Sequence, residues 1–169
     1  MSLPFPGNES PSARAFPRAM RTRWKRIRLS LLARSGDAWI WFPGTASVWC
    51  FGNTEWKSRG ARLLLGLVLS AAVIFVLKIS FKRRRPDGDW GAVYRKIDPY
   101  SFPSGHAARA MAIVVVSWPW AGWPAGVLIL VWALAMSLAR VSLRVHFPSD
   151  AVGGALVGAA AGFLTLRVW

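Results

Sequence analysis

Cysteine is nearly absent from this chain. Cys50 stands alone, so no intrachain disulfide can form and redox chemistry says nothing about compartment. Histidine is almost as scarce, with only His106 and His146. Acidic residues number seven against 22 Lys and Arg, which leaves a formal charge of +15. No nucleic-acid-binding motif accompanies that charge, and it lies outside the apolar runs, mainly in the N-terminal arm and one loop. Nucleic acid is therefore not an expected partner, and anionic lipid headgroups account better for the distribution. There is no internal repeat. The N-terminus has basic residues but no clean apolar stretch followed by a small-residue cleavage site, so no signal peptide is expected.

What is present is apolar. Hydrophobic residues make up 54% of the 169 positions, eleven of them Trp, in a chain the length of one domain. Residues 61–79, 121–140 and 150–168 read as strong membrane helices, 106–118 as a shorter one, and 38–55, interrupted by Pro43 and Gly44, as the weakest. Trp39, Trp41, Trp56, Trp118, Trp120, Trp123 and Trp169 cluster near the ends of these runs, where amphipathic rings prefer to sit. Gly153, Gly154, Gly158 and Gly162 offer small faces for close helix packing. The expected fold is an all-α integral membrane helical bundle of four to five transmembrane helices. Residues 1–17, with four prolines, are expected as a disordered tail. Residues 18–36 are expected as a basic amphipathic interfacial helix, and 37–169 as the membrane-embedded domain.

Threading the polar motifs through those helices brings them to one face. The 61–79 helix ends at Lys78 and runs into Arg85-Pro86; the next begins at His106 and crosses away. Residues 118–124 turn on the far side, the 121–140 helix returns to Arg140, and His146 and Asp150 open the last helix. Scattered structural charges would not converge in this way. Two imidazoles, one carboxylate and three cations suit a phosphate. Lys78, Arg85 and Arg140 supply charge for its oxygens. Ser104 and Gly105 precede a helix start whose free N–H groups point at anions. No hydroxyl or thiol has an adjacent base, but a histidine can attack phosphorus itself. His146 and Asp150 are four apart, on one helical face, and the carboxylate would orient the ring and raise its basicity. His106 can protonate the leaving alkoxide and later activate water. Two His and an Asp could bind zinc, but three fixed cations in the same pocket would repel a dication, so no metal or other cofactor is expected.

In order, the blocks are Lys78-x6-Arg85-Pro86, Pro103-Ser104-Gly105-His106 and Arg140-x5-His146-x3-Asp150. This three-part pattern resembles the signature of the type-2 phosphatidic acid phosphatase family, which also includes vanadium haloperoxidases; the chain is similar to its small bacterial members. The resemblance implies that His146 is the nucleophile forming a phosphohistidine, with Asp150 orienting it and His106 as general acid and base. It also implies that Lys78, Arg85, Ser104, Gly105 and Arg140 bind the phosphoryl oxygens. Two departures stand out: Ala139 precedes Arg140 where the family usually has Ser, and Arg144 stands where a small residue is common. Arg144 either contacts a second phosphate or faces the headgroups.

The expected function is an integral membrane lipid phosphatase. Its candidate substrates are polyprenyl diphosphates such as the undecaprenyl carrier of wall synthesis, phosphatidic acid, phosphatidylglycerol phosphate or a prenyl-phosphate sugar phosphate. Membrane lipids are the other expected partners. A vanadate-dependent oxidoreductase is opposed by the apolar spans, and a non-catalytic anionic-lipid binder by the intact histidines and Asp150. The expected location is the cell (inner) membrane, multi-pass. If residues 38–55 span, the basic N-terminal arm shares a face with the motifs; if they re-enter, the two separate.

Overall fold

The structure is a computed structural model, and it describes residues 23–87 and 98–169. The expected tail 1–17 and the start of the expected interfacial helix lie outside the described residues. Five helical elements follow in order: α1 (Arg23–Arg34), α2 (Ala38–Phe51), α3 (Thr54–Phe81), α4 (Gly105–Ser142) and α5 (Pro148–Val168). Among the described residues α3, α4 and α5 are long and apolar enough to cross a membrane.

Local signals set the boundaries. Asn53 caps α3 by accepting the Trp56 N–H at 3.0 Å, and Glu55 sits in the first turn against the helix dipole. The same helix ends where the apolar run meets Lys82-Arg83-Arg84-Arg85-Pro86. Lys82 takes a left-handed conformation (φ 46°) that returns its N–H to the Lys78 carbonyl. Ser104 caps α4, accepting from the Ala107 N–H. Pro148 opens α5, where its missing N–H costs nothing.

The 38 residues of α4 are two helices joined at Gly122, whose φ of 74° and ψ of 169° break the helical path. Unbroken, they would span about 57 Å. Instead Ala133 and Met136 of the second half pack with Ala110 and Val114 of the first, and Gly126 lies against the Trp118 ring. The turn expected at 118–124 is therefore a sharp reversal. It is driven by a glycine in a conformation other residues resist, flanked by Pro119 and Pro124.

The weakest span forms α2, which tolerates Pro43 and stops at Gly52. Its 14 residues rise only about 21 Å, against a hydrocarbon core of roughly 30 Å. It leads from the motif end toward the opposite end. It starts beside His106, lies antiparallel to α3 with Gly60 against Thr45 and Trp49, and hands over to Trp56, which meets Trp120 near the α4 reversal. In the structure α1 shares an end of the bundle with the motifs. There α1 packs Leu29, Leu32 and Ala33 against Ala139, Leu143 and Val145.

The tightest packing joins α5 to the first half of α4. Gly154, Gly158 and Gly162 face Ser104, Ala108 and Ala112, two four-residue stripes running parallel. Any Cβ at Gly158 would run into the Ala108 carbonyl oxygen. The outer surface remains strongly apolar: Phe75, Leu128, Leu134, Leu138, Leu156 and Phe163 are all more than half exposed. Water does not tolerate a continuous apolar belt of that extent, whereas lipid does.

Candidate active site

The motif end of the bundle encloses a cavity of about 440 Å³, and His106 and His146 both line it. Lys78 and Gly105 join them, together with Asp98 and Arg109, while Ala71, Ile74, Phe75 and Ile79 of α3 form an apolar wall. The two imidazoles therefore belong to one chamber on one face.

His146 leaves α4 through a short loop and is buried, as is Asp150. The Nδ1 atom of His146 lies 2.9 Å from the Ser101 carbonyl oxygen, which can only accept. Nδ1 therefore carries the proton and Nε2 keeps its lone pair. The Arg85 guanidinium meets Nε2 at 3.2 Å. The Asp150 carboxylate stands 3.6 Å from Nδ1, beyond hydrogen-bond range, so the Ser101 carbonyl is the direct orienting group and Asp150 an electrostatic neighbour. Asp150 is itself held by the Phe147 N–H at 2.8 Å and Arg83 Nη1 at 3.0 Å. Burial, above all, lowers the pKa of His146 from 6.5 to about 4. Asp150 opposes the shift, and Arg140, Arg85 and Lys78 add to it.

Arg85 is almost wholly buried. It donates to the Val145 carbonyl at 3.0 Å, and to the Asp98 carbonyl and carboxylate, each at 2.8 Å. Lys78 forms an ion pair with the same Asp98 carboxylate oxygen. Arg140, on the second half of α4, is buried and reaches the Ala33 carbonyl at 3.4 Å. That contact with α1 lies at the motif end of the bundle, where Ala33 packs against Ala139 and Val145.

One expectation needs correction. The Ser104 N–H is not free for an anion, because it donates to the Asp150 carbonyl at 2.9 Å and ties the second motif to the third. Arg83 bridges Ser149 at 2.8 Å and Asp150, and lies 4.3 Å over the Phe147 ring. Arg144 takes a left-handed conformation (φ 55°) and lines a second cavity of about 450 Å³ with Arg85, Asp87 and His146, on a different side of the ring from the apolar wall.

Sequence reasoning missed Asp37, Asp98, Ser101 and Arg109. Asp37 lies in the α1–α2 link and accepts a 2.6 Å hydrogen bond from His106 Nε2. Burial opposes its ionisation, but the hydrogen bond and charge of His106, the Trp39 indole and Arg140 outweigh it and hold the carboxyl below its ordinary range. Arg109, one turn beyond His106, donates to the Gly36 carbonyl at 3.0 Å. An ionisable side chain this deep in a membrane helix was the available signal for Arg109; the other three had none.

A family model described as the PAP2 superfamily matches residues 59–169. An undecaprenyl-diphosphatase of Sulfolobus acidocaldarius is 29% identical over 146 residues, covering 81% of this chain and 67% of the relative. A decaprenylphosphoryl-5-phosphoribose phosphatase of Mycobacterium tuberculosis is 32% identical over 111 residues, covering 64% and 58%. The chain thus spans about three fifths to two thirds of the length of these curated relatives. Among solved structures, LpxE of Aquifex aeolicus superposes with a TM-score of 0.72 at 24% identity, over 88% of this chain and 89% of that one. A transmembrane PAP2-type phosphatidylglycerolphosphate phosphatase of Bacillus subtilis gives 0.73 at 23%, over 89% and 79%. The two superpositions support the helical membrane fold, and the family model, covering the α3–α5 core and all three motif blocks, shows that this chain belongs to the PAP2 superfamily.

Proposed function

We propose that this chain is an integral membrane lipid phosphatase that removes the terminal phosphate of a polyprenyl diphosphate or a related lipid phosphate. One observation carries the reading. Lys78 and Arg85, the two cations expected to grip the phosphoryl oxygens, already converge on a single anion, the Asp98 carboxylate, beside the lone pair of His146 Nε2. A phosphoryl group replacing that carboxylate would meet the same two cations within reach of the nucleophile.

The chemistry follows from the groups in place. His146 Nε2 attacks phosphorus, the P–O bond to the lipid breaks, and His106 gives a proton to the departing oxygen. Lys78, Arg85 and Arg140 offset charge on the non-bridging oxygens, with Gly105 leaving room at the cavity wall. Water then attacks the phosphohistidine, His106 takes its proton, and inorganic phosphate leaves. The apolar α3 wall gives an isoprenoid or acyl chain a path into the site from the bilayer. The names of the two curated relatives point to prenyl-linked substrates, and we assign the enzyme to the cell membrane on that ground. Arg144, in the second cavity, would meet a polar headgroup rather than the tail.

The test is phosphate release by purified protein in detergent with a chelator present, from undecaprenyl diphosphate, phosphatidic acid and phosphatidylglycerol phosphate. Turnover of at least one lipid, abolished by His146→Ala, is expected. Turnover that needs an added metal, or that survives His146→Ala, contradicts the reading.

A further inference from the structure

A carboxylate from outside the family-matched region reaches the second histidine. The family match begins at residue 59, whereas Asp37 precedes α2. The link carrying it is fixed from several sides. The Arg140 guanidinium meets the Ala33 carbonyl at 3.4 Å, and Trp132 Nε1 donates to Ser35 Oγ at 2.9 Å. Trp41 Nε1 donates to the Ser35 carbonyl at 2.7 Å, and Arg109 Nε to the Gly36 carbonyl at 3.0 Å. A Cβ at Gly36 would lie 3.0 Å from Met136 Cε and 3.4 Å from His106 Cδ2, so the backbone passes close against the ring. The Asp37 carboxylate is thereby aimed at His106 Nε2, with its second oxygen held by the Trp39 indole at 3.1 Å.

From this geometry, and resting on the phosphatase reading above, we propose that Asp37 is a positioning residue. It holds His106 in its proton-donating form and presents Nδ1 to the leaving oxygen. The need for it follows from the surroundings. The charged groups around His106 are Arg109 one turn along its own helix, Arg140 from the second half of α4, Asp37 from the α1–α2 link, and Lys78 and Asp98 across the cavity. Lys78 and Asp98 pair with each other, so Asp37 is the carboxylate that meets the ring directly. A general acid must carry its proton when the substrate arrives. Asp37 supplies a negative charge 2.6 Å from the ring. With Nε2–H committed to Asp37, Nδ1–H faces the substrate. It gives up its proton as the P–O bond breaks, and regains one from the water that hydrolyses the phosphohistidine.

The experiment compares two leaving groups in the pre-steady-state burst, which reads phosphohistidine formation. A lipid phosphate monoester such as phosphatidic acid departs as an alkoxide and needs the acid, whereas p-nitrophenyl phosphate departs as a stable phenolate and does not. Asp37→Asn is expected to slow the burst with the lipid about a hundredfold. It should leave p-nitrophenyl phosphate within about threefold, and shift the basic limb of the lipid rate–pH profile to lower pH. Asp37→Glu should restore part of the lipid rate. Retained p-nitrophenyl phosphate activity certifies that the variant is folded. Equal losses on both substrates, or an unmoved basic limb, overturn the proposal and leave Asp37 a purely structural tie. Failure of the unmodified protein to release phosphate from any lipid instead overturns the phosphatase reading itself.

Discussion

At the residue scale, His146 is set up to be neutral when it is needed. In the unfolded chain an imidazole titrates near 6.5, whereas the folded ring holds out to about 4. Between those values the unfolded state binds more protons, so stability falls as pH drops through that window. The folded ring keeps its lone pair until the pH nears the lower value. Denaturation followed from pH 7 to pH 5 should show the loss, while imidazole NMR of the folded protein shows residue 146 still neutral at pH 5.5. Arg83 makes a second residue-scale prediction. It braces Asp150 from the loop after α3 but is partly exposed, so its loss should be felt modestly, as about a tenfold fall in kcat (roughly 1.4 kcal/mol) for Arg83→Ala, with partial recovery in Arg83→Lys. The motif residues were legible because their spacing along the chain encodes their chemistry. Asp37 and Asp98 were not, because each approaches its partner across a fold contact. His106 and Asp37 are 69 positions apart, and Arg85 reaches Asp98 over 13, without a periodic pattern. Ser101 acts through its carbonyl, which every residue has.

At the scale of elements, glycine spacing determines how the third motif meets the second. The stripe Gly154, Gly158, Gly162 lets α5 lie against Ser104, Ala108 and Ala112, close enough for the Ser104 N–H to bond the Asp150 carbonyl. Gly158→Ala is expected to lower the melting temperature in detergent and to cost about 1–3 kcal/mol. Gly44→Ala in α2, where nothing lies within 4 Å of the added methyl, should leave it unchanged. Comparable losses at both positions would show that the close approach is not what holds α5. The small-residue face was visible in the sequence, but its partner was not. Likewise Gly122 and the prolines marked a turn, whereas the helix ends drifted: α3 begins at Thr54, well before the apolar run expected from residue 61, because Asn53 and Glu55 start it in polar sequence.

At the scale of the whole molecule, the family, the all-α membrane class and the convergence of the motifs on one face followed from apolar run lengths and the order of three blocks. The path of α2 did not follow, since a short helix containing proline and glycine satisfies both the crossing and the re-entrant reading. In the structure it leads away from the motif end, with α1 beside the site. Single cysteines introduced at Arg34 and Lys82, in a Cys50→Ser background, should therefore react with an impermeant reagent from the same side of a sealed vesicle, and one at Trp123 from the other. Labelling of positions 34 and 82 from opposite sides would contradict that path.

The central claim is that residue 146 carries the phosphoryl group. Rapid-quench incubation with a radiolabelled lipid diphosphate, followed by peptide mapping, tests it most directly. The expected result is an acid-labile, alkali-stable label on the peptide containing His146, absent from His146→Ala and accumulating when His106 is replaced by Asn. Release of phosphate without any such label, or a label on another residue, would contradict it.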